Sequence, residues 1–320
     1  MERRAFLKAS ALGLGSFTLS GLTFGYRQAH AANHIFSITA EPQSLVVNAT
    51  TSLNVWRYRD LVATSGPGGL QAGIVVQQGD SIEINLSNNL DRNINLVIPG
   101  LVNTSPQVAP GSSFTYLFTL NQPGSFFLTD NISGFIAKAM GLAMPLVVLP
   151  NTIPASLNDG LTPYDRQYTL VFQDYDDRLN AAISGGGAYT LDQYEPNFFT
   201  VNGLQYPSLA TDPDSRIEMT VGEQVAIRFI NAGSIYYPMH FHGYHVSVAN
   251  RNRVVESNVI EKDTVLVRTA ECVDVQLAAI QAGTYPLHTH FVPGVTSNGV
   301  YAGGGLLVMN ASAAGPVPVV

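Results

Sequence analysis

Beyond its first thirty residues the chain runs in short stretches that alternate apolar and polar side chains with a period of two. Ile74-Val75-Val76-Gln77 is followed by a Gly79-Asp80 turn and then by Ser81-Ile82-Glu83-Ile84-Asn85-Leu86. In the second half, Arg216-Ile217-Glu218-Met219-Thr220-Val221 precedes a Gly222-Glu223 turn and Gln224-Val225-Ala226-Ile227-Arg228-Phe229-Ile230. Such alternation places one residue in two on a buried face, as half-buried antiparallel strands require. Helical periodicity is confined to Gly134–Leu142. Many short strands joined by Gly and Pro turns predict an all-β fold, a sandwich or barrel.

The two halves repeat one another. Gly79–Asn88 parallels Gly222–Asn231, and Gln122-Pro123-Gly124-Ser125-Phe126-Phe127-Leu128 parallels Gln281-Ala282-Gly283-Thr284-Tyr285-Pro286-Leu287. Each half closes on an apolar strand, Met144–Leu149 and Gly305–Met309. A repeat of this length means two copies of one domain, expected at residues 32–150 and 167–310. A Pro-rich linker at 151–166 joins them, and a small, apolar tail at 311–320 lies extended on the surface.

The N-terminus changes the picture. Met1-Glu2-Arg3-Arg4-Ala5-Phe6-Leu7-Lys8 leads into a Gly- and Ser-diluted apolar stretch that ends near Ala29-His30-Ala31. A charged start, a modest apolar core and a small-x-small end make an export signal over residues 1–31. The paired arginines followed by Phe-Leu-Lys resemble the twin-arginine signal, which carries folded proteins to the periplasm or beyond. The mature chain is then expected to begin near Ala32. A cut before His30 would place Arg27 where a small residue is wanted.

Removing the signal takes the formal charge from −7 to about −10 and leaves Lys138 and Lys262 as the lysines. An acidic, lysine-poor chain argues against nucleic acid as a partner. The single cysteine, Cys272, excludes an internal disulfide framework and is expected as a small buried residue. No later segment is long and apolar enough to predict a membrane span.

Five of the seven histidines fall in two clusters, His240-Phe241-His242-Gly243-Tyr244-His245 and His288-Thr289-His290. In a strand, residues i and i+2 share a face, so two His-x-His pairs on neighbouring strands aim four imidazoles at one place. Neutral imidazole suits copper, zinc and iron, so the arrangement reads first as a metal site. His245 has the opposite parity to His242 and would join only through a bulge at Gly243. His34 is expected at the surface.

The order of motifs resembles the multicopper oxidase family. The resemblance rests on Phe199-Thr200-Val201-Asn202-Gly203, Ile230-Asn231-Ala232-Gly233, and Pro238-Met239-His240-Phe241-His242-Gly243. Asp263-Thr264-Val265-Leu266-Val267 and Gly283-Thr284-Tyr285 with His288-Thr289-His290 complete it. It implies two tandem cupredoxin-like Greek-key β-sandwich or barrel domains, copper as cofactor, and a homotrimer. The departures are specific. Thr289 stands where the family's blue copper needs a cysteine, and Tyr237 stands where it needs a histidine. In the first domain, Asn95-Leu96-Val97-Ile98-Pro99-Gly100-Leu101 and Phe127-Leu128-Thr129-Asp130-Asn131 replace the histidine motifs. The resemblance therefore implies a degenerate member: a mononuclear or partial-cluster copper site on His240, His242, His288 and His290.

The expected activity is a copper-dependent oxidoreductase acting on a small-molecule substrate or served by an external electron donor. Asp130, across the domain cleft, and Tyr237 or Tyr244, beside the imidazoles, are the candidates for handling protons or supporting the metal. Hydrogen-bonded packing is the alternative for the tyrosines, and a turn role for Asp130. The alternatives from other classes are a periplasmic copper binding and delivery protein and a metal-free scaffold.

Overall fold

A computed structural model describes residues 32–60, 73–151, 155–157, 162–257 and 260–314. Residues 1–31, where the export signal is expected, and residues 315–320 of the tail lie outside the described residues. In the first half the strands are β1 (Asn33–Asn48), β2 (Thr51–Asp60), β3 (Ile74–Gln77), β4 (Ser81–Asn88), β5 (Ser113–Thr119), β6 (Gly124–Thr129) and β7 (Ala143–Leu149). They form two sheets ordered β2-β1-β4-β5 and β3-β7-β6. Between them sits a core that includes Ile38, Tyr58, Ile82, Ile84, Leu86, Phe126, Leu146 and Val148. A one-and-a-half-turn helix, α1 (Phe135–Ala139), falls inside the stretch with helical periodicity.

The second half begins with β8 (Arg166–Tyr175), α2 (Asp177–Gly185), β9 (Phe198–Val201), β10 (Ile217–Thr220), β11 (Gln224–Asn231) and β12 (Tyr237–Phe241). It continues with β13 (Val246–Arg251), β14 (Val254–Val255), β15 (Glu261–Lys262), β16 (Thr264–Val267), β17 (Cys272–Ala278), β18 (Gly283–Thr289) and β19 (Leu307–Ser312). One sheet is ordered β10-β19-β18-β12-β16. The other is ordered β14-β13-β17-β11-β8-β9, with β15 on β13. Strands and isolated bridges make up 51% of the described residues, so the fold is all-β.

The pairing repeats as the sequence does. β1 runs parallel to β4 and β8 parallel to β11; β3 runs parallel to β7 and β10 parallel to β19. The turns before β4 and β11 each open on a glycine of positive φ, Gly79 at 92° and Gly222 at 101°. In both, the following acid caps the turn: Asp80 accepts from the Gln77 N–H (2.9 Å) and Glu223 from the Thr220 N–H (2.8 Å). Only glycine reaches such φ without strain, so the recurrence is set by backbone geometry.

Helix α2 lies outside the expected helical stretch. Its apolar face is too small to show periodicity, since only Leu179 and Asn180 are buried. Its ends hold it instead. Asp176 caps the first turn by accepting from the Arg178 and Leu179 N–H groups, and Gly186 closes the last in a left-handed conformation.

The halves are locked by buried polar contacts. Ser125 donates to Asp274 Oδ1 (2.5 Å), and Arg228 pairs with Asp274 Oδ2 (3.1 Å). Arg57 reaches Gln173 (3.1 Å), whose amide donates to the Gly141 carbonyl (2.8 Å). Cys272 is buried on β17, and burial pushes its thiol pKa far up, which leaves it protonated and inert.

Candidate metal centre

β12 alternates strictly: Tyr237, Met239 and Phe241 are buried, whereas Pro238 and His240 face outward. Its neighbour β18 pairs antiparallel with His240 opposite His288 and Met239 opposite Thr289. The loop ends are fixed by backbone hydrogen bonds from His242 N–H to the Pro286 carbonyl (3.2 Å) and from His290 N–H to the Pro238 carbonyl (2.8 Å). Two residues apart on each strand, the four histidines therefore share one face.

Their rings are gathered. Ring centroids are 4.7 Å apart for His240–His242 and for His240–His290, 5.9 Å for His240–His288, 5.1 Å for His242–His288 and 5.6 Å for His288–His290. His242 Nε2 lies 3.0 Å from His288 Nε2. Two nitrogens about 2.0 Å from one ion and mutually perpendicular to tetrahedral would stand at this separation. His240 Nδ1 faces the Thr264 hydroxyl (3.1 Å) and the Asp263 carbonyl (3.2 Å), and His288 Nδ1 faces the Thr289 carbonyl (3.1 Å). A carbonyl only accepts, so the His288 Nδ1 carries the proton and its Nε2 is left as a lone-pair donor.

Burial lowers the His242 pKa, helped by the charges His240, His288 and His290 would carry. His288 is lowered by burial against a raising hydrogen bond to Thr289. Neutral imidazole is the form a metal takes. Among the described residues, no three histidine, cysteine, aspartate or glutamate side chains already stand around a single point in ligating pose. The four-imidazole donor set fits copper in chemistry.

The other sequence candidates lie elsewhere. Tyr237 has the parity of the core, not of His240; it packs on Phe172 (centroids 4.8 Å), and its hydroxyl faces Asp174 (3.4 Å). Tyr244 is buried too, because Gly243 (φ 73°) turns the chain and reverses the parity beyond His242. Its hydroxyl donates to the Gln281 carbonyl, and its ring stands edge-on to Tyr285. His245 is exposed and takes part in none of the ring contacts of the cluster. Asp130 is buried within the first domain, where it accepts from the N–H groups of Asn95, Ile132 and Ser133. These contacts correct the expectation that Asp130 faces the imidazoles: it closes its own turn. The carboxylate beside the cluster is Asp263, exposed and 3.9 Å from His240 Nδ1. Register places Thr264 opposite His240, which a reading of the histidine motifs alone could not reveal.

Where a blue copper would need ligands, the chain is packed. Thr289 is buried, and a Cβ built on Gly294 would come within 2.6 Å of its methyl group. Tyr237 is fully buried on the same strand pair. Two residues beyond His290 a cavity of about 530 Å³ opens, lined in part by Arg178, Glu195, Phe199, Val292, Pro293 and Thr296.

Two β-sandwich domains with an imidazole cluster on the second define a cupredoxin-type architecture. Residues 187–303 match the multicopper oxidase family, and residues 62–152 match it again, so that the two matches span more than half of the chain. The chain belongs to the multicopper oxidase family. Its fold is similar to that of the multicopper oxidase mgLAC (TM-score 0.72, 22% identity, 91% of this chain and 88% of that one). It is also similar to a blue copper oxidase from Nitrosomonas europaea (0.74, 20%, 88% and 86%). A copper nitrite reductase from Nitrosomonas europaea shares it as well (0.65, 19%, 88% and 94%). No curated protein sequence matches the chain.

Proposed function

We propose that this is an exported copper oxidoreductase with a mononuclear or partial-cluster site held by His240, His242, His288 and His290, and without a blue-copper centre. The observation that carries the reading is the gathering of four imidazole rings, 4.7–5.9 Å between centroids, on one sheet face. Copper held there would supply one-electron chemistry toward a small substrate. The chain's own part is to orient and to exclude. Thr264 and the Asp263 carbonyl fix the His240 ring, and the Thr289 carbonyl selects the His288 tautomer. Asp263 is the carboxylate placed to exchange protons with solvent. Packing at Tyr237, Thr289 and Gly294 removes the family's internal electron entry, so the electron comes from the substrate or from a separate donor.

A second reading, copper binding and delivery without turnover, is favoured by the openness of the site: His290 is exposed, and the cluster lies on a sheet face. Both readings include periplasmic or other exported localisation and assembly as a homotrimer. Steady-state oxidation of phenolic and inorganic reductants by the copper-loaded protein, beside copper transfer to a competing chelator, separates them. Turnover lost in a His288→Ala variant supports the oxidoreductase. Facile transfer without turnover supports delivery, and zinc in place of copper would move the search to hydrolysis.

A further inference from the structure

The repeat places an acid at the same turn in each domain, and the two acids take different cations. In the second domain Glu223 binds Arg166 at the start of β8 through two hydrogen bonds, 2.6 and 3.0 Å. Arg166 lies opposite Val225, and at the matching register of the first domain His34 lies opposite Ile82. His34 accordingly takes Arg166's part: its Nε2 is 2.8 Å from Asp80 Oδ2. The first domain adds a contact that the second lacks, from the backbone nitrogen of Ala32 to Asp80 Oδ1 (2.8 Å). Asp80 is buried. Export cleavage after Ala31 turns that nitrogen from a neutral amide into a charged α-amine, which replaces the missing arginine.

We propose that the mature N-terminus, Ala32-Asn33-His34, is a second metal site, a Cu(II) chelate formed by the α-amine of Ala32, the backbone nitrogens of Asn33 and His34, and the His34 imidazole. It rests on export with cleavage after Ala31 and is independent of the four-histidine centre. A free amine and an imidazole two residues on, with no proline between, close three fused chelate rings around one square-planar ion. Four nitrogens in a plane are the geometry that selects Cu(II) or Ni(II). The structure brings the two end donors to the same carboxylate, each at 2.8 Å. It also leaves the segment accessible. Ala32 and Asn33 are exposed, and among the described residues β1 pairs with β4 alone over residues 33–37. Binding releases protons from the ammonium and from both amide nitrogens, with no change of oxidation state, so the affinity rises with pH. Asp80 is the resting partner from which the ion takes the amine and the imidazole.

The test uses exported protein carrying His240→Ala and His288→Ala, so that the other centre is absent, and begins with its intact mass. Cu(II), supplied as its glycine complex, is then titrated while the visible spectrum and electron paramagnetic resonance are recorded. The expected result is a first residue of Ala32 and one tightly held Cu(II) per chain with the signature of four equatorial nitrogens. That ion is lost both in a further His34→Ala variant and in a folded chain extended by one glycine before Ala32. A mature chain starting elsewhere, or copper binding indifferent to the extension, overturns the assignment.

Discussion

The Nε2 atoms of His242 and His288 face each other at 3.0 Å across two strands, with no side chain between them. Such a pair shares one proton, which an ion can replace. Both residues are half-buried at the sheet surface, so little of the core depends on them. His242→Ala is expected to weaken copper binding at least about tenfold while changing stability by no more than about 0.5 kcal/mol. Copper titration and a denaturant melt of the same preparation check both halves.

Replacing Thr289 by cysteine restores the residue type that a blue copper needs but not the site. Tyr237 still stands where the histidine would be needed, and it fills the core beside Phe172 with its hydroxyl toward Asp174. Thr289→Cys with added copper is expected to give no intense blue absorption. Its appearance would show that the packed region still accepts the ion.

Arg228 and Asp274, both fully buried, pair within the second domain, and Ser125 of the first donates to the same carboxylate. Arg228→Met leaves the carboxylate buried without its partner, a change that costs about 3–5 kcal/mol. A lower urea midpoint with unchanged copper content is the expected outcome, because the contact lies away from the imidazoles.

Asp176 gives a dependence on pH. Burial pushes its carboxyl up, but hydrogen bonds from Arg178, the Glu195 N–H and Tyr189 outweigh this and bring the pKa from 3.8 down to about 2. A depressed folded-state pKa adds stability above the unfolded value and loses it as pH falls through the folded one. Asp176→Ala should therefore cost about 1–2 kcal/mol near neutrality through the lost helix cap. The gap to wild type should close between about pH 4 and the folded pKa of about 2. Urea denaturation at several acidic pH values measures this.

The all-β character, the repeat and the shared face of His240, His242, His288 and His290 could be read from the sequence, because each depends on a local period of two or a local turn. Parity alone also sets Tyr237 on the core side of β12, opposite His240. The position of Tyr244 depends on Gly243, whose positive φ shifts the parity, and no sequence pattern reports a φ. The partners of Asp274, Ser125 and Arg228, depend on register between segments distant in the chain, whereas the turn contacts of Asp130 are local. Helix α2 carries no helical periodicity because its caps, not an apolar stripe, define it.

The central claim is that the gathered imidazoles hold copper. The direct measurement is metal content by mass spectrometry of purified protein, wild type beside His240→Ala/His288→Ala, both with the N-terminal site blocked by His34→Ala. The account predicts copper bound to the first and absent from the second, with both folded. No copper in the first after reconstitution, or equal copper in the two, would contradict it.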